Sequence, residues 1–144
     1  MHAIYDEYEI KAKDFIRAGE GSIKIKNTLK SLGLKSDIIK CVSICAYESE
    51  MNVVMHGGEG ILSLIVDDTG IIIEVRDNGT GIGDINLALK EGYSTAQDLY
   101  REMGFGAGMG LPNIVKNSDS VEIFSQKDKG TYLIISFWID QGDR

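Results

Sequence analysis

The sequence predicts an α/β (α+β) two-layer sandwich, in which a mixed, mainly antiparallel sheet carries its helices on one face. Three observations in the 144-residue chain predict it. Short apolar, β-branched runs come in pairs, 61–67 with 71–77 and 120–126 with 131–139, each pair broken by turn residues. Two stretches, 21–32 and 36–56, place apolar residues at helical spacing and lie between an opening strand and the first pair. One proline, no internal repeat and no low-complexity stretch leave no linker, so residues 1–144, with 43% hydrophobic content, are expected to form one domain.

Residues 2–10 alternate apolar and acidic positions, as an edge strand does, and 21–32 read as an amphipathic helix. In 36–56, Ser36 suits the N-cap and the paired Gly57-Gly58 suit the stop. Ile38, Val42, Cys45 and Ala46 recur at spacings of three and four, which gives that helix a buried stripe. The first hairpin turns around Asp68-Thr69-Gly70. Residues 84–102 read as short helical segments, and 112–117 as a short helix with Pro112 at its first position, where no N–H is missed. The last hairpin passes through Lys129-Gly130, and Trp138 in its second strand reads as a core or interface residue.

Three groups of residues carry chemistry. Gly104, Gly106, Gly108 and Gly110 alternate with other residues and run into Leu111-Pro112. Glycines in that rhythm let backbone N–H groups crowd around an anion, and the next helix adds unpaired donors and positive dipole. Taken alone, the stretch reads equally as a flexible surface loop. Upstream, Asp77-Asn78-Gly79-Thr80-Gly81-Ile82 follows the apolar run 71–75. A strand ending so delivers a carboxylate into a glycine turn at the mouth of a pocket, or simply caps a turn. On the helix 36–56, Glu48, Asn52 and His56 fall at i, i+4 and i+8. They form one polar row, either a base, a metal ligand and a phosphate contact or a solvated helix face.

Commoner nucleotide fingerprints are missing. The chain has no G-x-x-x-x-G-K-[ST], no G-x-G-x-x-G, and neither H-R-D nor D-F-G. A formal charge of −7 without a basic cluster argues against a nucleic-acid partner. The apolar runs 61–66 and 71–75 are too short to span a bilayer, and no signal peptide opens the chain, so a cytoplasmic protein with no membrane partner is expected. Two histidines with Cys41 and Cys45 one helical turn apart do not make a zinc or iron–sulfur set, and two buried thiols fit better.

Glu48-x-x-x-Asn52-x-x-x-His56, Asp77-x-Gly79-x-Gly81-Ile82, Gly104-x-Gly106-x-Gly108-x-Gly110-Leu111 and Gly130-Thr131, in that order, resemble the N, G1 and G2 boxes and the terminal threonine of the Bergerat-fold (GHKL) ATPases. Within that superfamily the small size, the run Glu91-Gly92-Tyr93-Ser94-Thr95 and Gly110-Leu111-Pro112 resemble the bacterial anti-sigma-factor serine/threonine kinases, especially the switch-kinase branch. The segment Asn113 to Asp119 departs from the Met-Asp-Glu ending common in that branch.

The resemblance implies ATP and Mg²⁺ as cofactors. Asn52 would offer its amide oxygen to Mg²⁺ bridging the phosphates, a suitable hard ligand. Asp77 would accept a hydrogen bond from the adenine amino group, with Gly79, Gly81 and Ile82 around it and Thr131 supporting the base from a neighbouring strand. Gly104, Gly106, Gly108, Gly110 and Leu111 would close over the triphosphate as the end of a lid spanning about 83–110. His56 agrees with the anti-sigma pattern, although a helix drifts by about 40° per four residues along such a row. Glu48 matches the general base that takes the proton from the substrate hydroxyl.

Two functions from different classes follow. One is an ATP-dependent serine/threonine kinase that phosphorylates a STAS-domain anti-sigma-factor antagonist and so regulates transcription by partner switching. The other is a nucleotide-gated binding module that sequesters a sigma factor or activates a regulatory phosphatase. A freestanding histidine-kinase catalytic domain is a third reading, weakened because no phosphoacceptor helix pair fits in this length. Relatives of the resembled family form homodimers.

Overall fold

Side chains alternate across a strand, so a sheet with one apolar face must cover that face, and here helices do so. The computed structural model describes residues 3–56, 58–82, 89 and 110–139. In chain order the elements are β1 (Ile4–Ile10), α1 (Glu20–Ser31), α2 (Ser36–His56), β2 (Gly60–Val66), β3 (Gly70–Asp77), α3 (Gly110–Asn117), β4 (Ser120–Gln126) and β5 (Gly130–Trp138). The strands form one sheet in the order β1-β2-β3-β5-β4. Its four pairings are antiparallel, so among the described residues the sheet is antiparallel rather than mixed.

Register builds the core. Leu64 pairs with Ile73, and Ile73 with Ile135, so the central strands line up one apolar row. Leu62, Leu64, Ile71, Ile73 and Ile135 are fully buried, together with Ile25 and Leu29 of α1 and Val42, Cys45 and Ala46 of α2. Each such valine, leucine or isoleucine side chain contributes about 1.5–3 kcal/mol by leaving water. The opposite face stays open. Tyr5, Ile61 and Phe124 are exposed there, and Trp138 is 68% exposed. Trp138 therefore belongs to the open face and not to the core.

Glu50 sets how α1 and α2 meet. The N-terminal residue before α1, Gly19, has φ 96° and no side chain to cap the helix. Glu50, 4% exposed, reaches across from α2 instead. Its Oε2 accepts the N–H groups of Gly19 (3.1 Å) and Gly21 (3.2 Å), and its Oε1 accepts that of Ser22 (2.9 Å). A buried carboxylate is tolerated because the orphan donors of a helix start satisfy it.

Element ends differ from expectation in a few places. Helix α2 begins at Ser36, and the carbonyl of Lys35 accepts from Ile39, so Lys35 occupies the cap position expected of Ser36. Gly57 lies outside the described residues, while Gly58 has φ 68°. Helix α3 begins at Gly110, which makes Pro112 its third residue, still within the first turn where an N–H finds no helical partner. The last hairpin turns over residues 127–129 with Asp128 left-handed (φ 62°), and Gly130 opens the strand. Among the described residues no helix is long and apolar enough to cross a membrane.

Candidate functional site

One corner of the site forms where β3 ends. The Asp77 Oδ1 accepts the N–H groups of Gly79 (2.9 Å) and Thr131 (3.2 Å). Burial raises the Asp77 carboxyl above its ordinary value, and those two donors oppose the rise by favouring the charged form. Gly130 makes the approach of β5 feasible: its φ is 112°, and a Cβ there would stand 2.0 Å from the Asp77 carbonyl oxygen. Ser125 of β4 closes the corner from the other side. Its hydroxyl accepts the Ile82 N–H at 2.6 Å, donates to the Gly130 carbonyl at 3.3 Å, and lies 3.1 Å from the Thr131 hydroxyl. Asp77, Gly79, Ile82 and Thr131 are thus brought together, and Gly81 sits among them where a Cβ would stand 2.5 Å from the Gln126 carbonyl oxygen.

A second cluster forms between α2 and α3. Leu111, Pro112 and Ile114 are buried, and α3 packs on α2. Burial pushes the Cys45 thiol up to about 12, so it stays protonated and donates to the Ile114 carbonyl at 3.6 Å. This docking sets Gly110 over the polar row. A Cβ on Gly110 would lie 3.2 Å from Asn52 Oδ1 and 3.6 Å from Glu48 Oε2, so a glycine lets the start of α3 lie close to both groups. Glu48 Oε1 accepts the Asn113 side-chain N–H at 3.2 Å. Both Glu48 and Asn52 are half-buried. Cys41 is a half-buried free thiol and Cys45 a buried one.

His56 ends the row as the last residue of α2, about 12 Å of helical rise from Glu48. Burial, and then the nearby Lys13 ammonium, lower its basicity below the ordinary imidazole value. The Lys13 ammonium donates to the Met55 carbonyl, and its backbone N–H donates to Val54 at 2.8 Å, which closes the helix end. From there the chain meets the first corner. Asn78 Oδ1 accepts the Glu59 N–H at 2.9 Å, and the Asn78 N–H donates to the Glu59 carbonyl at 3.1 Å. The row therefore runs from α3 to the Asp77 turn. Gly104, Gly106, Gly108 and the lid, apart from Leu89 and Gly110, lie outside the described residues.

Three residues of the site, and one carboxylate that supports the fold, escaped sequence reasoning. Asn113, Ser125 and Asn78 act through contacts between segments distant in sequence, and no local spacing marks them. Glu50 carried a signal: it falls four residues after Ala46, on the apolar stripe of α2, where a carboxylate needs buried donors.

A polar row on one helix, a strand-end aspartate in a glycine turn and a glycine at the start of a helix over that row are the features the fold sets out along α2 and the end of β3. Residues 42–142 match the profile of the histidine kinase-, DNA gyrase B- and HSP90-like ATPases. The chain belongs to that family. Family membership makes this a GHKL ATPase domain, which implies that it binds nucleotide. The chain is also similar to proteins named anti-sigma F factor. It is 31% identical over 99 residues to the one from Clostridium acetobutylicum, which covers 65% of this chain and 66% of that protein. Against the Clostridium kluyveri protein it is 33% identical over 104 residues, 69% of this chain and 70% of the relative. Against that of Heyndrickxia coagulans it is 36% identical over 93 residues, 60% of each. The matched stretch thus spans about two thirds of the length of these relatives.

Proposed function

We propose that this GHKL domain is an ATP-dependent serine/threonine kinase of the partner-switching type, with a STAS-domain anti-sigma-factor antagonist as its acceptor. The observation that carries the reading is the pair Glu48 and Asn52 beside Gly110: a carboxylate and an amide oxygen one helical turn apart, both close to the residue at which α3 begins. The similarity to anti-sigma F factors supports a sigma factor or its antagonist as partner. Such a kinase would work in the cytoplasm.

Each residue has a chemical task under this reading. The Asp77 carboxylate, oriented by two backbone donors, would accept the adenine amino group, with Gly79, Gly81, Ile82 and Thr131 framing the base. The Asn52 amide oxygen fits Mg²⁺, because Asn52 is only half-buried and an amide oxygen is a hard ligand. Among the described residues no three His, Cys, Asp or Glu side chains could cage a metal, so the other ligands would be phosphate oxygens and water. When bound, the ion would neutralise charge on the β- and γ-phosphates. Leu111 and the glycines Gly104 to Gly110 would lie along the triphosphate, and His56 would stand at the far end of the row.

Glu48 would take the proton of an incoming serine or threonine hydroxyl. As the hydroxyl oxygen bonds to the γ-phosphorus, the bond from that phosphorus to the β–γ bridging oxygen breaks, ADP leaves, and the proton rests on the Glu48 carboxyl. The same pose with water as acceptor would give hydrolysis, so the partner decides the product.

A second reading rests on the open sheet face. Exposed Tyr5, Ile61, Phe124 and Trp138 suit a docking surface, which favours a nucleotide-gated module that holds a sigma factor, a regulatory phosphatase or a second copy of the chain. Transfer of γ-labelled phosphate separates the two. With Mg²⁺ and STAS-domain proteins from the same genome, label should reach a STAS serine or threonine with the wild-type protein and not with Glu48→Gln. ATP binding without transfer to any of them would favour the module.

A further inference from the structure

We propose that Asn113 is the positioning residue of the Glu48 carboxylate, its side-chain N–H holding one oxygen so that the other faces the reacting hydroxyl. The catalytic purpose rests on the kinase reading above, whereas the contact itself rests on geometry.

A half-buried glutamate on a helix has several rotamers open to it, and proton abstraction needs one oxygen aimed and uncovered. Here the two oxygens differ. Oε1 accepts the Asn113 N–H at 3.2 Å, while Oε2 is the oxygen nearest Gly110, 3.6 Å from where a Cβ would stand. Asn52 flanks that same point with its Oδ1 at 3.2 Å. One oxygen is held, and the other is turned toward the residue that would hold the metal.

Asn113 is itself well anchored. Its neighbours Leu111, Pro112 and Ile114 are buried, its own carbonyl accepts the Asn117 side-chain N–H at 2.8 Å, and the Cys45 thiol grips the next carbonyl. A neutral amide also suits the task. It donates without placing a positive charge on the carboxylate, which would make Glu48 a poorer proton acceptor. Asn113 sits on the helix that Gly110 opens, so the arm that reaches Glu48 Oε1 and the glycine beside Oε2 belong to one element.

Three variants test the inference: Asn113→Ala, Asn113→Asp, which keeps the shape but cannot donate when ionised, and Asn113→Gln, which keeps the amide. ATP dissociation constants should stay within about twofold of wild type, while single-turnover transfer to the STAS acceptor falls about ten- to hundredfold in Ala and Asp and recovers in part in Gln. A rate unchanged in all three, or ATP affinity lost in proportion to the rate, would overturn it. A second readout needs no activity. In urea unfolding of Glu48→Ala, Asn113→Ala and the double variant, a real contact makes the midpoint shifts non-additive. Additive shifts would overturn the inference whatever the transfer shows. Non-additive shifts with no Glu48-dependent transfer in wild type would uphold the contact and overturn the kinase reading, and with it the purpose assigned to Asn113.

Discussion

Asp77 and Thr131, 54 positions apart, are joined side chain to backbone: the Asp77 carboxylate accepts the Thr131 N–H at 3.2 Å. The bond ties the end of β3 to the start of β5, two adjacent strands, and the same oxygen also holds Gly79. One carboxylate oxygen thus shapes the corner that the proposed function assigns to adenine.

Asp77→Asn separates shape from charge. The amide oxygen can still accept from Gly79 and Thr131, so the protein should fold, but the amide NH₂ that replaces the other oxygen is a donor and cannot accept from the base. Equilibrium dialysis should show ATP affinity reduced about tenfold to a hundredfold, the worth of a charge-assisted hydrogen bond of about 1.5–3 kcal/mol. Unchanged ATP affinity would remove Asp77 from base recognition.

Glu50→Ala should destabilise the protein without touching the nucleotide groups. It strips the N–H groups of Gly19, Gly21 and Ser22 of their shared acceptor in a buried place. The expected cost is about 2–3 kcal/mol, read as a lower urea midpoint. Glu50→Gln, which keeps an acceptor oxygen, should recover part of it. An unaltered midpoint in Glu50→Ala would show that water satisfies those donors.

The acid side of the stability profile should carry the mark of His56. Burial first and the Lys13 charge second hold its imidazole below the ordinary 6.5, so the unfolded chain takes up the proton more readily than the folded one. The stability that a neutral His56 contributes is fully present above pH 6.5 and is lost as pH falls through that value toward the lower folded one. His56→Gln cannot titrate. Urea unfolding at a pH above 6.5 and again well below it should show a smaller loss for the variant than for wild type, and equal losses would refute the assignment.

The strands, the long helix and the Glu48–Asn52–His56 row were legible because each is a matter of local period: two along β2, β3 and β5, near four along α2. Antiparallel neighbours also follow from short turns such as the one at Asp67, whose side chain accepts from Thr69 and Gly70. What stayed hidden depends on how separate segments pack. Nothing in the run around Asn113 reveals that it reaches Glu48, and nothing in β4 reveals that Ser125 holds Ile82. Whether Trp138 is core or interface stayed open for the same reason. Strand periodicity says which residues share a face, while the choice of covered face is made by where α1 and α2 land.

The division of labour between Asn52 and Glu48 is open to one direct measurement: calorimetric titration of ATP, with and without Mg²⁺, into wild type, Asn52→Ala and Glu48→Ala. The proposed function predicts that Asn52→Ala loses the Mg²⁺-dependent part of the affinity, whereas Glu48→Ala binds Mg²⁺-ATP as wild type does and fails only in turnover. Tight Mg²⁺-dependent binding by Asn52→Ala, or loss of binding in Glu48→Ala, would contradict it.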